Sequence, residues 1–391
     1  MSQAFIKTAL VATLAVAMVG CSAGKRIFQE DPRKPTKLVK LEQSVAVLSQ
    51  VASTKLEQGT STFKRNKAKD KDVVDLKIAQ TETGYIAASR GGVVSAFDGG
   101  QLAWAANVND AITSGVAVSG DTVVVGTRQG AVVALDRATG QTRWTVQLPS
   151  ASLAPALINN GKVIVSTNGS VVYGLNLATG AIDWQYSSQA PSLSIRGMAA
   201  PIMVDVKTAL IGAADGRIHA IDVASGSPVW VRRVGLAAGS GDIAKLRDVD
   251  GTPIVAGQHL YAASYSGQLV GFDMATGRTM FVSELATIQG VSVLGSAVIG
   301  ASVDGEVIAF DRITGDVLWR NSDLKFRGLT NPVTIGQYIA VGDKDGIIHV
   351  FDTMGKIISR VDSKHELTSL QVYGNRLYTQ SANGVVSIYQ F

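Results

Sequence analysis

All five tryptophans of the chain, Trp104, Trp144, Trp184, Trp230 and Trp319, occupy one slot of a pattern that recurs along its length. In its full form the pattern is a small residue, an apolar residue and Asp, two variable positions, Thr/Ser-Gly, three more variable positions and Trp, as from Ala134 to Trp144. It returns from Gly174 to Trp184 (with Asn176 in the Asp slot), from Ala220 to Trp230 and from Ala309 to Trp319. Gly271 to Phe281 keeps the spacing with Phe for Trp, Ala96 to Trp104 shortens the turn, and Val350 to Ser359 loses one residue and the aromatic. Anchored on the residue six places before the Asp slot, the copies begin at Gly92, Gly130, Ser170, Gly216, Gly267, Gly305, Gly346 and Gly384, separated by 38 to 51 residues. A period near forty with about four short strands per unit is the signature of a β-propeller blade, so the expected fold is all-β, an eight-bladed β-propeller of four-stranded antiparallel blades.

Within one unit, the segments 114–119, 122–127, 131–136 and 143–148 alternate, are rich in Val and Thr, and are separated by Ser-Gly-Asp, Arg-Gln-Gly and Ala-Thr-Gly turns. Asp136 can accept hydrogen bonds from the backbone of its own turn, and Gly140 can adopt the left-handed conformation that such hairpins need. Two residues before the Asp slot stands Ala or Gly in six of the eight copies, which leaves room for a neighbouring indole. Trp104, Trp144, Trp184, Trp230, Phe281 and Trp319 are therefore expected to dock blade against blade rather than to bind a ligand. The charged fraction of only 17% beside 46% hydrophobic residues suits one large all-β core.

The last copy, at Gly384, runs out at Gln390-Phe391 before an outer strand could form. An open ring would expose two sheet edges, an aggregation liability. The stretch 49–56, which has no hairpin partner of its own, is expected to close the ring as the outer strand of the last blade, paired with 385–389.

The first residues lie outside this array. Lys7 supplies a positive start, 8–19 form an apolar run too short to span a bilayer, and Gly20-Cys21 follows, so 1–20 read as a secretory signal. Cys21 is the sole cysteine, and Met18-Val19-Gly20-Cys21 resembles a bacterial lipobox, which implies that Cys21 is acylated as the first mature residue; Ser22 after it implies sorting to the outer membrane. Residues 21–43, basic and Pro-containing, are expected to form the lipidated N-terminus and a flexible tether, and 44–391 the propeller. A second basic stretch, 63–71, reads as a solvated loop. With a net charge of +5 and basic residues not interleaved with aromatics, nucleic acid is not an expected partner.

Chemistry is sparse. His219, His259, His349 and His365 fall in different units, and His219 and His349 share one repeat slot, so no metal-binding spacing results. No nucleophile elbow or phosphate-cradling loop occurs. The Ala-x-Asp-x-x-Thr-Gly-x-x-x-Trp element resembles the docking motif of pyrroloquinoline-quinone dehydrogenases, but the adjacent cysteines those enzymes commonly carry are absent. The expectation is no enzyme, no cofactor and no metal. A quinone-cofactor dehydrogenase or an envelope carbohydrate-binding propeller remain the alternatives.

The array is irregular at one place. From the Trp slot to the next anchor the distance is 32 residues after Trp184 and 37 after Trp230, against 24–27 elsewhere. Both long connections leave the same face of adjacent blades, where a propeller can carry a partner site without disturbing its core. Leu193, Ile195 and Arg196 in the first, with Asp248 and Asp250 in the second, look like two apolar anchors and a charged register pin. The stretches Pro191-Ser192-Leu193-Ser194-Ile195-Arg196-Gly197 and Arg247-Asp248-Val249-Asp250-Gly251-Thr252-Pro253 resemble segments of the BamB-type lipoprotein family of the outer-membrane β-barrel assembly machinery. That resemblance implies a non-catalytic scaffold lipid-anchored at the periplasmic face of the outer membrane, binding the polypeptide-transport domains of the central barrel-inserting subunit. Leu193, Ile195, Arg196, Asp248 and Asp250 would be its contacts, with nascent β-barrel chains a further candidate partner.

Overall fold

The computed structural model describes residues 33–42, 44–57, 76–188, 199–236 and 246–391. Every regular element among them is a β-strand, and the strands form eight four-stranded antiparallel sheets, the blades of a closed propeller. Seven blades are consecutive meanders, numbered one to seven from Ala79–Gln80 onwards. The eighth takes strands from both ends of the chain, in the order Leu367–Tyr373, Arg376–Ser381, Val385–Gln390 and, outermost, Ser49–Lys55.

Burial follows depth in the blade. In blade two, Thr122–Gly126 is buried throughout and Ala131–Asp136 along its middle, whereas the outer strand Thr142–Gln147 is largely exposed apart from the inward-facing Trp144. Strands covered on both faces read as continuous apolar runs, and strands covered on one face alternate. The innermost strand, Ala117–Ser119, is shorter than the 114–119 expected from alternation. Ser114 there leaves the ladder: its Oγ accepts the Gly126 N–H at 2.6 Å. Packing is divided into eight apolar clusters among the described residues, each shared by two neighbouring blades, from Val94 with Val123 in the first pair to Tyr85 with Tyr378 across the last.

The aromatic slot explains how the wedges are joined. A bulge in the outer strand skips Arg143 and sets Trp144 opposite Ala134 of its own blade. Across that pair only a small residue fits: a Cβ on Gly174 would lie 2.0 Å from the Trp184 ring. The indole for which the small residue makes room is thus the one in the same blade. The ring's other side covers the turn glycine of the next blade, Trp104 on Gly140, Trp144 on Gly180, Trp184 on Gly226 and Trp319 on Gly355. Each of these four indole N–H groups also donates across the interface, to the carbonyls of Arg137, Leu177, Val223 and Thr353 at 2.8–3.1 Å.

Two of the blades that carry an aromatic in the slot depart from this scheme. Phe281 covers Gly315 but has no N–H, and the Tyr261 hydroxyl takes over the hydrogen bond to the next blade. Trp230 packs in the cluster between blades four and five, but the group over Gly277 is the Arg232 guanidinium, which donates to the Gly277 carbonyl at 3.0 Å and lies 5.4 Å from the Trp230 ring. Trp230 thus meets the next blade through the shared cluster, while Arg232 rather than an indole covers the turn.

The closing pair follows the expectation for 49–56. Ser49–Lys55 runs antiparallel to Val385–Gln390, Ser49 opposite Gln390 and Lys55 opposite Val385. Its bulge falls at the same place as in the other blades, and there the sizes are exchanged: Ala52 stands in the aromatic slot and Ile388 in the small-residue slot. The seam to blade one is filled instead by Tyr85 stacked on Phe97 at 4.8 Å, with Tyr378 edge-on at 6.0 Å.

Candidate functional site

In a four-stranded meander, the turn between the second and third strands and the connection to the next blade emerge on one face. All long connections and all the anchor glycines are therefore on that face, and the Asp-x-x-Thr-Gly turns are on the other. The first face opens into a central cavity of about 920 Å³, lined by connections and anchor turns from around the ring, including Arg90, Arg128, Asp250, Val303 and Lys344. The second of the irregular connections reaches this funnel with residues 250–253.

The second long connection is described from residue 246 onwards. Its segment 246–253 is strung between two blades: Val249 N–H donates to the Ala213 carbonyl at 3.2 Å, and the Asp248 carbonyl accepts the Tyr265 N–H at 3.0 Å. The approach is close enough to demand glycine, since a Cβ on Gly212 would lie 2.7 Å from the Val249 carbonyl and one on Gly251 2.2 Å from that of Gln289. Asp248 and Asp250 are consequently buried, 1% and 7% exposed, rather than displayed on an open loop. Asp250 lines the funnel, and its buried Oδ2 has no hydrogen-bond partner among the described residues. Burial pushes the Asp250 carboxyl well above the usual carboxylate range, and the nearby charge of Asp248 pushes the same way.

Leu193, Ile195 and Arg196 lie outside the described residues, as does Cys21. The ends of their connection are described: Ser188 N–H donates to the Ser170 carbonyl at 3.1 Å, and Ala200 N–H to Thr252 Oγ1 at 3.0 Å. The exit of the first long connection is thereby tied to the second, two residues after Asp250. Beside these residues the funnel carries the exposed apolar side chains of Ile288 and Val303, which the repeat pattern does not single out.

His219 and His349 are buried and serve the interior. Tyr186 of blade three bonds His219 Nδ1 at 2.8 Å, and Asp215 bonds its Nε2 at 3.1 Å. Asp343 does the same for His349 at 3.0 Å.

Comparison with known proteins agrees with this architecture. The sequence model described as "Outer membrane protein assembly factor BamB" matches residues 90–321 and 304–391. The chain is 32% identical to the protein of that name from Salmonella typhimurium, over 97% of this chain and 98% of the relative. With the one from Escherichia coli the identity is 34%, over 80% and 83%. The crystal structure of BamB from Moraxella catarrhalis superposes with a TM-score of 0.83 at 56% identity, covering 88% of this chain and all of that one. A quinohemoprotein alcohol dehydrogenase from Comamonas testosteroni has a TM-score of 0.67 at 13% identity over 91% of this chain and 78% of its own, a likeness of fold alone. The close relatives bear the name of an assembly factor rather than of an enzyme.

Proposed function

The chain belongs to the BamB family of outer membrane protein assembly factors, and from that premise we propose that it is a non-catalytic periplasmic scaffold of the barrel-assembly complex. Residues 1–20 are its signal peptide, Cys21 its lipid anchor in the outer membrane, and 44–391 its propeller. The scaffold binds the polypeptide-transport domains of the central barrel-inserting subunit. The observation that carries this reading is the convergence of the two long connections on one face of adjacent blades, joined by the hydrogen bond between Ala200 and Thr252. Leu193 and Ile195 supply apolar area and Arg196 fixes register, while Asp248 and Asp250 are the acidic contacts contributed by the second connection.

Binding of purified transport domains to immobilised protein tests the site. Truncating a hot-spot residue costs about 2 kcal/mol or more, whereas a rim contact costs little. Leu193→Ala combined with Arg196→Ala is expected to weaken capture at least ~10-fold while the thermal midpoint stays in place. Undiminished binding, or loss that merely tracks unfolding, moves the site elsewhere on the ring.

A further inference from the structure

The described part of the stretch read as a tether is not detached from the ring. Thr36 N–H donates to the Lys325 carbonyl at 3.0 Å, and its hydroxyl donates to the Asp323 carbonyl at 2.7 Å, both in the connection from blade six to blade seven. Leu41 packs on the cluster between those blades, Glu42 meets Lys356 at 3.4 Å, and Val45 N–H donates to the Ile358 carbonyl at 2.9 Å. Lys325 lies on the funnel face and Lys356 in a turn of the opposite face. The segment therefore crosses the rim of blade seven from the funnel side to the far side, and then returns along blade eight as Ser49–Lys55.

Two arginines hold the crossing. Arg327 donates from Nη1 to the Thr36 carbonyl at 3.0 Å, from Nε to Asp343 at 2.6 Å and from Nη2 to Asp345 at 2.6 Å. Arg360 donates from Nη1 to the Val39 carbonyl and from Nε to His349 Nδ1 at 3.2 Å. Since His349 Nδ1 accepts, its Nε2 carries the proton and donates to Asp343, and both Asp343 and His349 are fully buried. Blade four has the same histidine slot, but there the chain of bonds ends on Tyr186 of the neighbouring blade. Only in blade seven, among the described residues, does it extend to a backbone that crosses the rim.

We infer that Arg327 and Arg360 form a clip that fixes the chain's entry onto the ring at the funnel face between blades six and seven, so that a lipid surface reached through the preceding residues lies on that side. The orientation rests on the proposed anchor at Cys21; the clip does not. The stretch from Cys21 to Pro35 has a relaxed reach of roughly 20 Å, comparable to a six-residue strand of about 20 Å. Presenting the far face to the membrane would take up that whole relaxed reach in crossing the blade, whereas the funnel face needs none of it for the crossing.

Limited trypsin digestion of the full-length acylated protein tests the clip, because Lys37 and Lys40 lie within the held stretch. Both bonds are expected to resist cleavage, and Thr36→Pro, which removes two donors without touching the buried network, is expected to raise cleavage at Lys37 at least ~10-fold with the thermal midpoint unchanged. Arg360→Met is expected to raise cleavage at Lys40 by a similar factor. Cleavage of the native protein at both sites as fast as in the Thr36→Pro and Arg360→Met variants overturns the clip. For the orientation, fluorophores on Lys344→Cys at the funnel and Gln258→Cys on the far face are compared in phosphatidylethanolamine/phosphatidylglycerol vesicles with brominated acyl chains. Stronger quenching at position 344, reduced by Thr36→Pro, supports the inference, and equal quenching refutes it. Protein that stays protected at Lys37 yet fails to float with vesicles upholds the clip and rejects the anchor at Cys21.

Discussion

The hydroxyl of Tyr261 donates to the carbonyl of Arg312 at 2.9 Å, filling the place that an indole N–H fills at four other blade interfaces. Phe281 supplies the ring at this interface and stacks with Tyr261, their centroids 6.2 Å apart. The ring and the hydrogen bond, joined in one tryptophan elsewhere, are here divided between two residues. Tyr261→Phe is expected to cost about 0.5–1.5 kcal/mol in chemical denaturation. Adding Phe281→Trp should return most of that loss, since the new N–H is aimed at the same carbonyl; a double variant no more stable than the single one would refute this division of labour.

Trp144 is buried, covers Gly180 and donates to the Leu177 carbonyl. Trp144→Ala is expected to destabilise the ring by about 3–5 kcal/mol and to leave capture of the transport domains unchanged well below the melting temperature. Trp230→Ala should cost distinctly less, because Arg232 keeps its own bond to the next blade. Equal losses at the two positions would show that ring burial alone sets the cost.

Asp250 gives a pH-dependent expectation. Its folded pKa lies above the unfolded value of about 3.9, so burying the charged form destabilises the protein. That penalty is absent below the unfolded pKa and grows as pH rises through the folded one. Asp250→Asn is therefore expected to raise the thermal midpoint at pH 7, with the gain fading towards pH 4, and to weaken capture of the transport domains. A stabilising substitution that weakens binding would identify Asp250 as retained for the funnel lip at the expense of the fold.

The closing strand makes a fourth stability test. A chain starting at Leu56 keeps seven complete blades but exposes the edge of Val385–Gln390, which Ser49–Lys55 normally covers. It is expected to form soluble oligomers or to aggregate, and a synthetic peptide of residues 49–55 added in excess should reduce that association. A monodisperse, fully stable truncated monomer would mean that the seam contributes little.

The ring was legible because its signals are local and repeated. The spacing of Asp136, Gly140 and Trp144 reports one hairpin, and seven such hairpins with a truncated eighth copy, at a period near forty, leave few folds open. The pairing of 49–56 was legible by subtraction, as the blade at Gly384 lacks an outer strand. What the pattern hid is compensation. Nothing about Tyr261 or Arg232 in isolation says that either replaces an indole N–H, since their roles depend on a carbonyl in the next blade. The burial of Asp248 and Asp250 was hidden for a related reason: the segment looks like an exposed loop until Gly212 and Gly251 let it sink between two blades. The clip of Arg327 and Arg360 joins residues some three hundred positions from Thr36 and Val39 and carries no motif at all.

The bond between the hydroxyls of Ser53 and Ser387 spans 334 positions of sequence. In a chain delivered N-terminus first, the strand 49–55 is among the earliest parts of the ring to appear and must wait for nearly the last residues before it has a partner. Seven blades can condense one after another from neighbours in sequence, but closure is a single late event with a large loop already formed. Until then the nascent ring is an open arc with two unsatisfied edges, and the interval between the arrival of the first strand and that of residue 390 sets how long the molecule must be kept from other chains.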